Sequence, residues 1–273
     1  MVERFLQNLS MKNITPFAVI TGASRGIGAE YARALAAQGF DLLLVARDQN
    51  RLKEISKEIQ QTTSIQVWTE ALDLARPHAA ETLYSLAQSF RPHVSLLVNN
   101  AGFGLYGLFA DMSLPTIQDM LQVHIHLTTE STRLFLPDMM NRRQGAIINV
   151  ASVAGFFPIP YMAEYSATKA FIISFSEAVA MEAKESEVTI QVCCPGYTET
   201  DFHKTAGHCP RHMAPPHTPQ DVVQKSLKAL RSQQTPVTIG WHGLATQWIT
   251  PFIPKKWLMR LSARFVRSHS SSH

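Results

Sequence analysis

Tyr165 and Lys169, in the stretch YSATK, stand four residues apart in an apolar run. On a helix that spacing stacks both side chains on one face, so a phenol and an ammonium share one small site. Such a pair suits carbonyl reduction: hydride addition leaves an alkoxide that needs a proton, and a phenol of ordinary pKa, about 10, holds its proton too tightly to exchange well near neutrality. A positive charge one turn away stabilises the phenolate. A drop of about three pH units takes roughly 4 kcal/mol, within reach of a desolvated ammonium acting with a bound cationic cofactor. Ser152, in NVASVAG, falls at the end of a predicted strand, where its hydroxyl can donate to a carbonyl oxygen as charge develops there. A lone Tyr-x-x-x-Lys is weak, because most helix tyrosines simply pack the ring and wet the hydroxyl.

A second chemical signal lies in TGASRGIG, Thr21 to Gly28, after the first predicted strand and at the start of the first helix. Glycines there allow a tight turn and close approach to a pyrophosphate, whose charge the helix N-terminus favours. Gly22, Ser24, Arg25, Gly26, Ile27 and Gly28 are therefore candidate cofactor residues, although the spacing G-x-x-x-G-x-G departs from the commoner G-x-G-x-x-G. An acidic residue about 20 positions on usually grips a ribose 2′-hydroxyl. Here the second strand ends VARD, so Ala46 and Arg47 take that place, and two guanidiniums, Arg25 and Arg47, suit a 2′-phosphate. This predicts NADP(H) over NAD(H). The competing reading is that Arg47 decorates the start of the next helix beside Asp48.

The elements that must position these residues alternate. FAVIT, DLLLVA, IQVWTEAL, VSLLVNN, GAIINVAS and VTIQVCCPG read as strands, separated by helical patterns that include Pro77 to Phe90, Pro115 to Asn141 and Tyr165 to Lys184. Strands alternating with helices imply βαβ units and a parallel sheet covered on both faces. Right-handed crossovers then give an α/β, doubly wound Rossmann fold of about seven strands, one domain over 1–273 with its core at about 15–240.

Together these residues resemble the short-chain dehydrogenases/reductases, from TGASRGIG through NNAG (Asn99 to Gly102), Ser152, YSATK and CPGYTET (Cys194 to Thr200). The resemblance implies an NADP(H)-dependent oxidoreductase interconverting a ketone or aldehyde and an alcohol, with Ser152, Tyr165 and Lys169 as its catalytic set and Lys169 also bonded to the nicotinamide ribose. It implies Asp73 and Leu74 near the adenine, Asn100, Ala101 and Gly102 against the cofactor, and Pro195, Gly196 and Thr198 at the nicotinamide amide. Family members are commonly homodimers or homotetramers. One position departs: His124, in QVHIHLTT, stands where many members carry an asparagine that holds a relay water. Two readings are open for it, a relay histidine with a steeper pH response, and a histidine satisfied within the core. A different class of function, a dinucleotide-binding sensor that lost turnover, has this departure as its foothold.

Bulk properties narrow the field. The 273 residues are 45% hydrophobic and 17% charged, with a net charge of +4, a balance expected of a globular protein. No apolar run approaches the roughly 20 residues of a membrane span, and the N-terminus lacks a secretory pattern, so a cytoplasmic location is expected. Three cysteines form no disulfide framework; Cys193 and Cys194 read as buried thiols. Nucleic-acid binding has no base-reading motif behind it. The segment 202–219 falls where the family places a substrate lid. Its His203, His208, Cys209, His212 and His217 fit no closed zinc module, so no metal is expected. An extension over 241–267 includes KKWLMRLSARFVR, with Trp257, Leu261 and Phe265 at helical spacing beside Lys256, Arg260 and Arg264. That pattern fits a helix packed on its own domain, a subunit interface or a pocket wall better than a membrane-surface helix. The aromatic content and lid composition point to a hydrophobic carbonyl substrate, such as a ketoacyl chain, a steroid-like ketone or a xenobiotic.

Overall fold

The computed structural model describes residues 15–200, 202 and 216–267. The expected lid residues 203–215, with His203, His208, Cys209 and His212, lie outside them, as do the side chains of Trp241 and Phe265.

Seven parallel strands, β1 (Phe17–Thr21), β2 (Asp41–Ala46), β3 (Val67–Ala71), β4 (Leu96–Asn99), β5 (Ala146–Val150), β6 (Thr189–Cys194) and β7 (Val237–Thr238), form one sheet in the order β3-β2-β1-β4-β5-β6-β7. Every residue of β1, β2, β4, β5 and β6 is buried. That is why they read as unbroken apolar runs rather than as alternations: both faces are covered. Edge strand β3 is only partly buried, and its Trp68 stacks on Phe90 at 5.0 Å with the Arg91 guanidinium 4.9 Å over the ring. The strand order reverses between β1 and β4, and this opens a crevice at the carboxyl ends of the strands.

Helices α1 (Gly26–Ala36), α2 (Gln49–Thr62), α3 (Ala79–Phe90), α4 (Leu114–Leu121), α5 (Leu127–Arg142), α6 (Ala163–Glu182) and α7 (Pro219–Arg231) provide the crossovers. Two core clusters, one on each side of the sheet, pair α1 and α7 with one face and α3 and α5 with the other. Asp48 caps α2 through the Arg51 amide, and Thr218 with Asp221 forms a capping box on α7. The helix expected over Pro115–Asn141 is two helices joined by a π-helical segment, Gln122–His126. The wider turn accommodates His124, whose ring is wholly buried. Helices α8 (Trp241–Ile249) and α9 (Lys255–Arg267) complete the described chain, and no helix among the described residues is long and apolar enough to cross a membrane. Cys193 and Cys194 are free buried thiols, as expected.

Candidate active site

The sheet brings the three expected catalytic residues together. Ser152 follows β5 in extended conformation, accepting from the Ala154 amide at 3.2 Å and reaching the Pro195 carbonyl at 3.5 Å. Tyr165 and Lys169 lie in the first two turns of α6, both buried. Their hold on the Ser152 loop depends on Gly155, which sequence reasoning passed over. A Cβ there would come within 2.7 Å of the Lys169 carbonyl carbon and 2.8 Å of the Ala170 amide. The loop therefore lies directly on the backbone of α6, and the glycine three residues after Ser152 was the available signal.

Burial pushes the Tyr165 phenol up to about 12, offset in part by its hydrogen bond with Ser152. Lys169 is pushed down to about 8, also by burial. Its Nζ donates to the Val150 carbonyl at 2.9 Å and sits 5.7 Å from the Tyr165 ring centroid. The lowering expected from the lysine acting with a bound cationic cofactor is thus not supplied by the protein's own groups. Bringing the phenol from about 12 to neutrality would take roughly 7 kcal/mol, more than one weakened ammonium supplies. Without a cofactor the pair is a loaded acid beside a cation.

His124 uses both ring nitrogens on protein groups. Nε2 accepts from the Phe103 amide at 3.1 Å. The Thr168 hydroxyl gives its proton to the Tyr165 carbonyl at 2.9 Å, so its lone pair accepts from Nδ1–H, also at 2.9 Å. Burial first, and then the charge of Lys169, hold the imidazole well below its ordinary pKa. The geometry thus favours the core reading, in which a neutral His124 ties the loop after β4 to the turn of α6 that carries Tyr165. Replacing His124 with Asn should cost about 1–3 kcal/mol of stability through the unpaired Phe103 amide and Thr168 hydroxyl. It should leave the pH profile of turnover unmoved; a shifted profile in stopped-flow assays would restore the relay reading.

The glycine turn has the shape of a phosphate cradle. Gly22 has φ +66°, and a Cβ on it would press within 2.9 Å of both Ala101 Cα and Asn100 Nδ2. A Cβ on Gly28 would overlap the Gly22 carbonyl oxygen. The N-cap of α1, Arg25, makes no side-chain cap hydrogen bond, so the first amides of the helix are left for a ligand. Asn100 pins the turn by donating to the Thr21 and Gly22 carbonyls at 3.0 and 3.2 Å, while its own amide and that of Ala101 donate to Thr21 Oγ1. Ser24, Arg25 and Gly26 line a surface cleft of about 360 Å³ with Arg33 and Arg51. Ile27 turns inward against the core.

The remaining expected residues divide. Arg47 is exposed just past β2, while Arg25 lies 3.9 Å from Asp48. Asp73 accepts from the Ala75 amide and pairs with Arg76 at 3.0 Å, and Leu74 is in the core. Gly102 has a further steric reason to be glycine: a Cβ would meet His124 Nε2 at 2.9 Å. The Pro195 carbonyl accepts from the Val153 amide, and buried Thr198 donates to the Gly196 carbonyl at 3.1 Å. Gly196 has ordinary space around it. His217 makes a backbone bridge with Thr198, and among the described residues no three His, Cys, Asp or Glu side chains cluster as a metal site.

A buried chain of amides and hydroxyls also went unread. Asn99 donates to Asn149 at 2.9 Å, Asn149 donates to Ser176 at 2.9 Å, and Ser131 donates to Asn99 at 3.0 Å. It ties β4 and β5 to α5 and α6 beneath the site. Two asparagines in register at the ends of adjacent apolar strands were the signal.

Comparison with known proteins agrees with this geometry. Ketoacyl reductase HetN from Nostoc sp. is 32% identical over 223 residues, covering 81% of this chain and 77% of that protein. Very-long-chain 3-oxoacyl-CoA reductase-B from Danio rerio is 34% identical over 192 residues, covering 69% of this chain and 61% of its own length. A short-chain dehydrogenase from Sphingobium yanoikuyae, solved in complex with NADPH, superposes with a TM-score of 0.80 at 28% identity, covering 90% of this chain and 95% of that one. The profile of the short chain dehydrogenase family matches residues 16–209. With the cradle, the strand reversal and the buried Ser–Tyr–Lys cluster in the order that profile spans, the chain belongs to the short-chain dehydrogenase family.

Proposed function

We propose that this protein is a single-domain, NADP(H)-dependent oxidoreductase that interconverts a hydrophobic ketoacyl compound and its hydroxyacyl counterpart. The observation that carries the reading is the convergence of Ser152, Tyr165 and Lys169 at the carboxyl edge of the sheet, beside a tightly packed glycine turn that leads into a helix N-terminus with no side-chain cap. Two of this protein's relatives, a ketoacyl reductase and a very-long-chain 3-oxoacyl-CoA reductase, support the substrate class. So does the greasy setting of the phenol: Met120, Met162, Phe103, Leu105 and Ile159 surround Tyr165, and Phe202 lies with its ring 5.6 Å away.

The residues present fit the cofactor. The backbone of Gly22 to Gly28 and the open end of α1 would hold its pyrophosphate, Asp73 and Leu74 would flank the adenine, and Asn100 to Gly102 with Pro195 to Thr198 would lie along the nicotinamide half. When bound, the reduced cofactor supplies the hydride. The protein's part is acid chemistry and placement. Ser152 donates to the carbonyl oxygen as charge develops there, and Tyr165, protonated at neutral pH, hands its proton to the nascent alkoxide. Lys169 offsets the phenolate that remains until a proton from solvent restores the phenol for the next cycle. A panel of 3-oxoacyl thioesters of rising chain length, read by NADPH consumption against a steroid ketone and a polar sugar ketone, tests the class. Preference for the sugar would sink it.

Arg25 and Arg47 supply the preference for the 2′-phosphate. Exchanging Arg47 for Asp should lower the NADPH-to-NADH ratio of kcat/KM by about tenfold to a hundredfold, through loss of a charge-assisted hydrogen bond and gain of repulsion. An unchanged ratio would return Arg47 to a surface role. A homodimer or homotetramer in the cytoplasm is part of the same proposal. Half-exposed Phe171, stacked on Phe175 at 5.9 Å, and exposed Met181 on α6 support an association through the long helices.

A further inference from the structure

The charge of the chain is divided along its length. Residues 1–221 hold 17 Lys and Arg against 21 Asp and Glu, whereas the last 52 residues hold eight Lys and Arg and no acid. The mild net charge of +4 hides a cationic C-terminal region on a slightly acidic body. That region also presents the largest bare apolar side chains of the described protein. Phe252 is 85% exposed, Trp248 and Leu261 70%, Trp257 66% and Ile249 52%. On α9 the outward residues are Lys256, Trp257, Arg260, Leu261 and Arg264, while Leu258, Met259 and Ala263 turn partly inward. Trp257 and Leu261 are thus bare and not packed on the domain as their spacing suggested; exposed aromatics followed by a helix that interleaves aromatics with cations suit an element that lies in a lipid interface, rings among the headgroups and cations on the phosphates.

We propose that α8, the turn at Thr250–Phe252 and α9 form a docking face for an anionic bilayer surface. Charge selects this occupant. Two copies meeting through the face would juxtapose cations with no acid to pair them, whereas anionic lipid supplies the missing charge. The length of the apolar patch is that of a peripheral anchor and not of a span. The face is also joined to the site: a Cβ on Gly243 would come within 3.0 Å of Val153, so α8 packs against the residue next to Ser152. A long acyl substrate would then meet the active site from the lipid. That consequence rests on the proposed function; the docking itself does not.

The test is sedimentation of the full chain with phosphatidylcholine vesicles, with and without phosphatidylglycerol. The expected result is co-sedimentation that requires phosphatidylglycerol and weakens at high salt. Lys255→Glu, Lys256→Glu and Arg260→Glu together should lower vesicle binding on the order of a hundredfold. Trp257→Ser with Leu261→Ser should lower it by at least about tenfold while the melting temperature and NADPH binding stay unchanged, since neither residue belongs to the site. Failure of the unmodified chain to sediment with phosphatidylglycerol vesicles would overturn the proposal. So would a fall in solution mass on Trp257→Ser with Leu261→Ser, which would assign the face to a second copy. Turnover is not used as the readout, so a wrong substrate class leaves this result unaffected.

Discussion

Tyr165→Phe should lower the carbonyl-reduction rate by about 10³-fold or more, with little change in NADPH affinity. The substitution removes one oxygen and leaves the ring among Met120, Met162 and Phe202, so folding should be spared. What is lost is the proton. The phenol is held near 12 by burial and hydrogen-bonded to Ser152, so at pH 7 it carries its proton in essentially every molecule. No other acid stands in its place: His124 is neutral with both nitrogens committed, and Lys169 directs its ammonium at the Val150 carbonyl. Burst and steady-state NADPH oxidation, compared with wild type at several pH values, would measure the effect. The wild-type reduction rate should decline as pH rises through about 8, where Lys169 loses its charge and no longer offsets the phenolate left after transfer. The residual rate of the phenylalanine variant should lack that decline. A variant that kept a tenth or so of its turnover would remove Tyr165 from the chemistry.

Gly28→Ala should damage binding and stability together. A methyl there overlaps the carbonyl oxygen of Gly22 and stands 2.5 Å from Asn100 Nδ2, the group that holds the turn in place. The first is backbone and the second is held by two hydrogen bonds to the turn, so the cradle itself must move. Overpacking of this kind costs about 1–3 kcal/mol, or several degrees in melting temperature for a chain of this size. A displaced pyrophosphate turn should weaken NADPH binding by about a hundredfold or more, because the open amides of α1 no longer converge. Gly39→Ala is the matched control. Gly39 has φ +82° but nothing within 4 Å of a new Cβ, so it should lose about 1 kcal/mol of stability and no affinity. Fluorescence titration with NADPH beside thermal melts separates the two. Equal affinity losses at both glycines would mean that the cradle is not read by its geometry.

How much of this was legible in the chain depends on the range of the forces involved. The strands announced themselves because parallel strands covered on both faces must be apolar throughout, and FAVIT or DLLLVA need no partner to be recognised. Tyr165 and Lys169 were legible as a pair because helical spacing alone fixes their common face. The glycine turn was legible because its steric need is local. Three matters were not. The long helix before β5 runs on through a π-helical segment, where a buried histidine finds partners in Phe103 and Thr168, 21 and 44 residues away. Gly102 serves the imidazole of His124, a neighbour that no local pattern names. The rise in the phenol's pKa within the protein alone was the third, since desolvation is a property of everything packed around the ring. Sequence by itself determined which residues could do the chemistry and the order in which the strands would carry them. Tertiary structure alone decided the protonation of those residues, because burial and long-range hydrogen bonds exist only once the chain has closed around them.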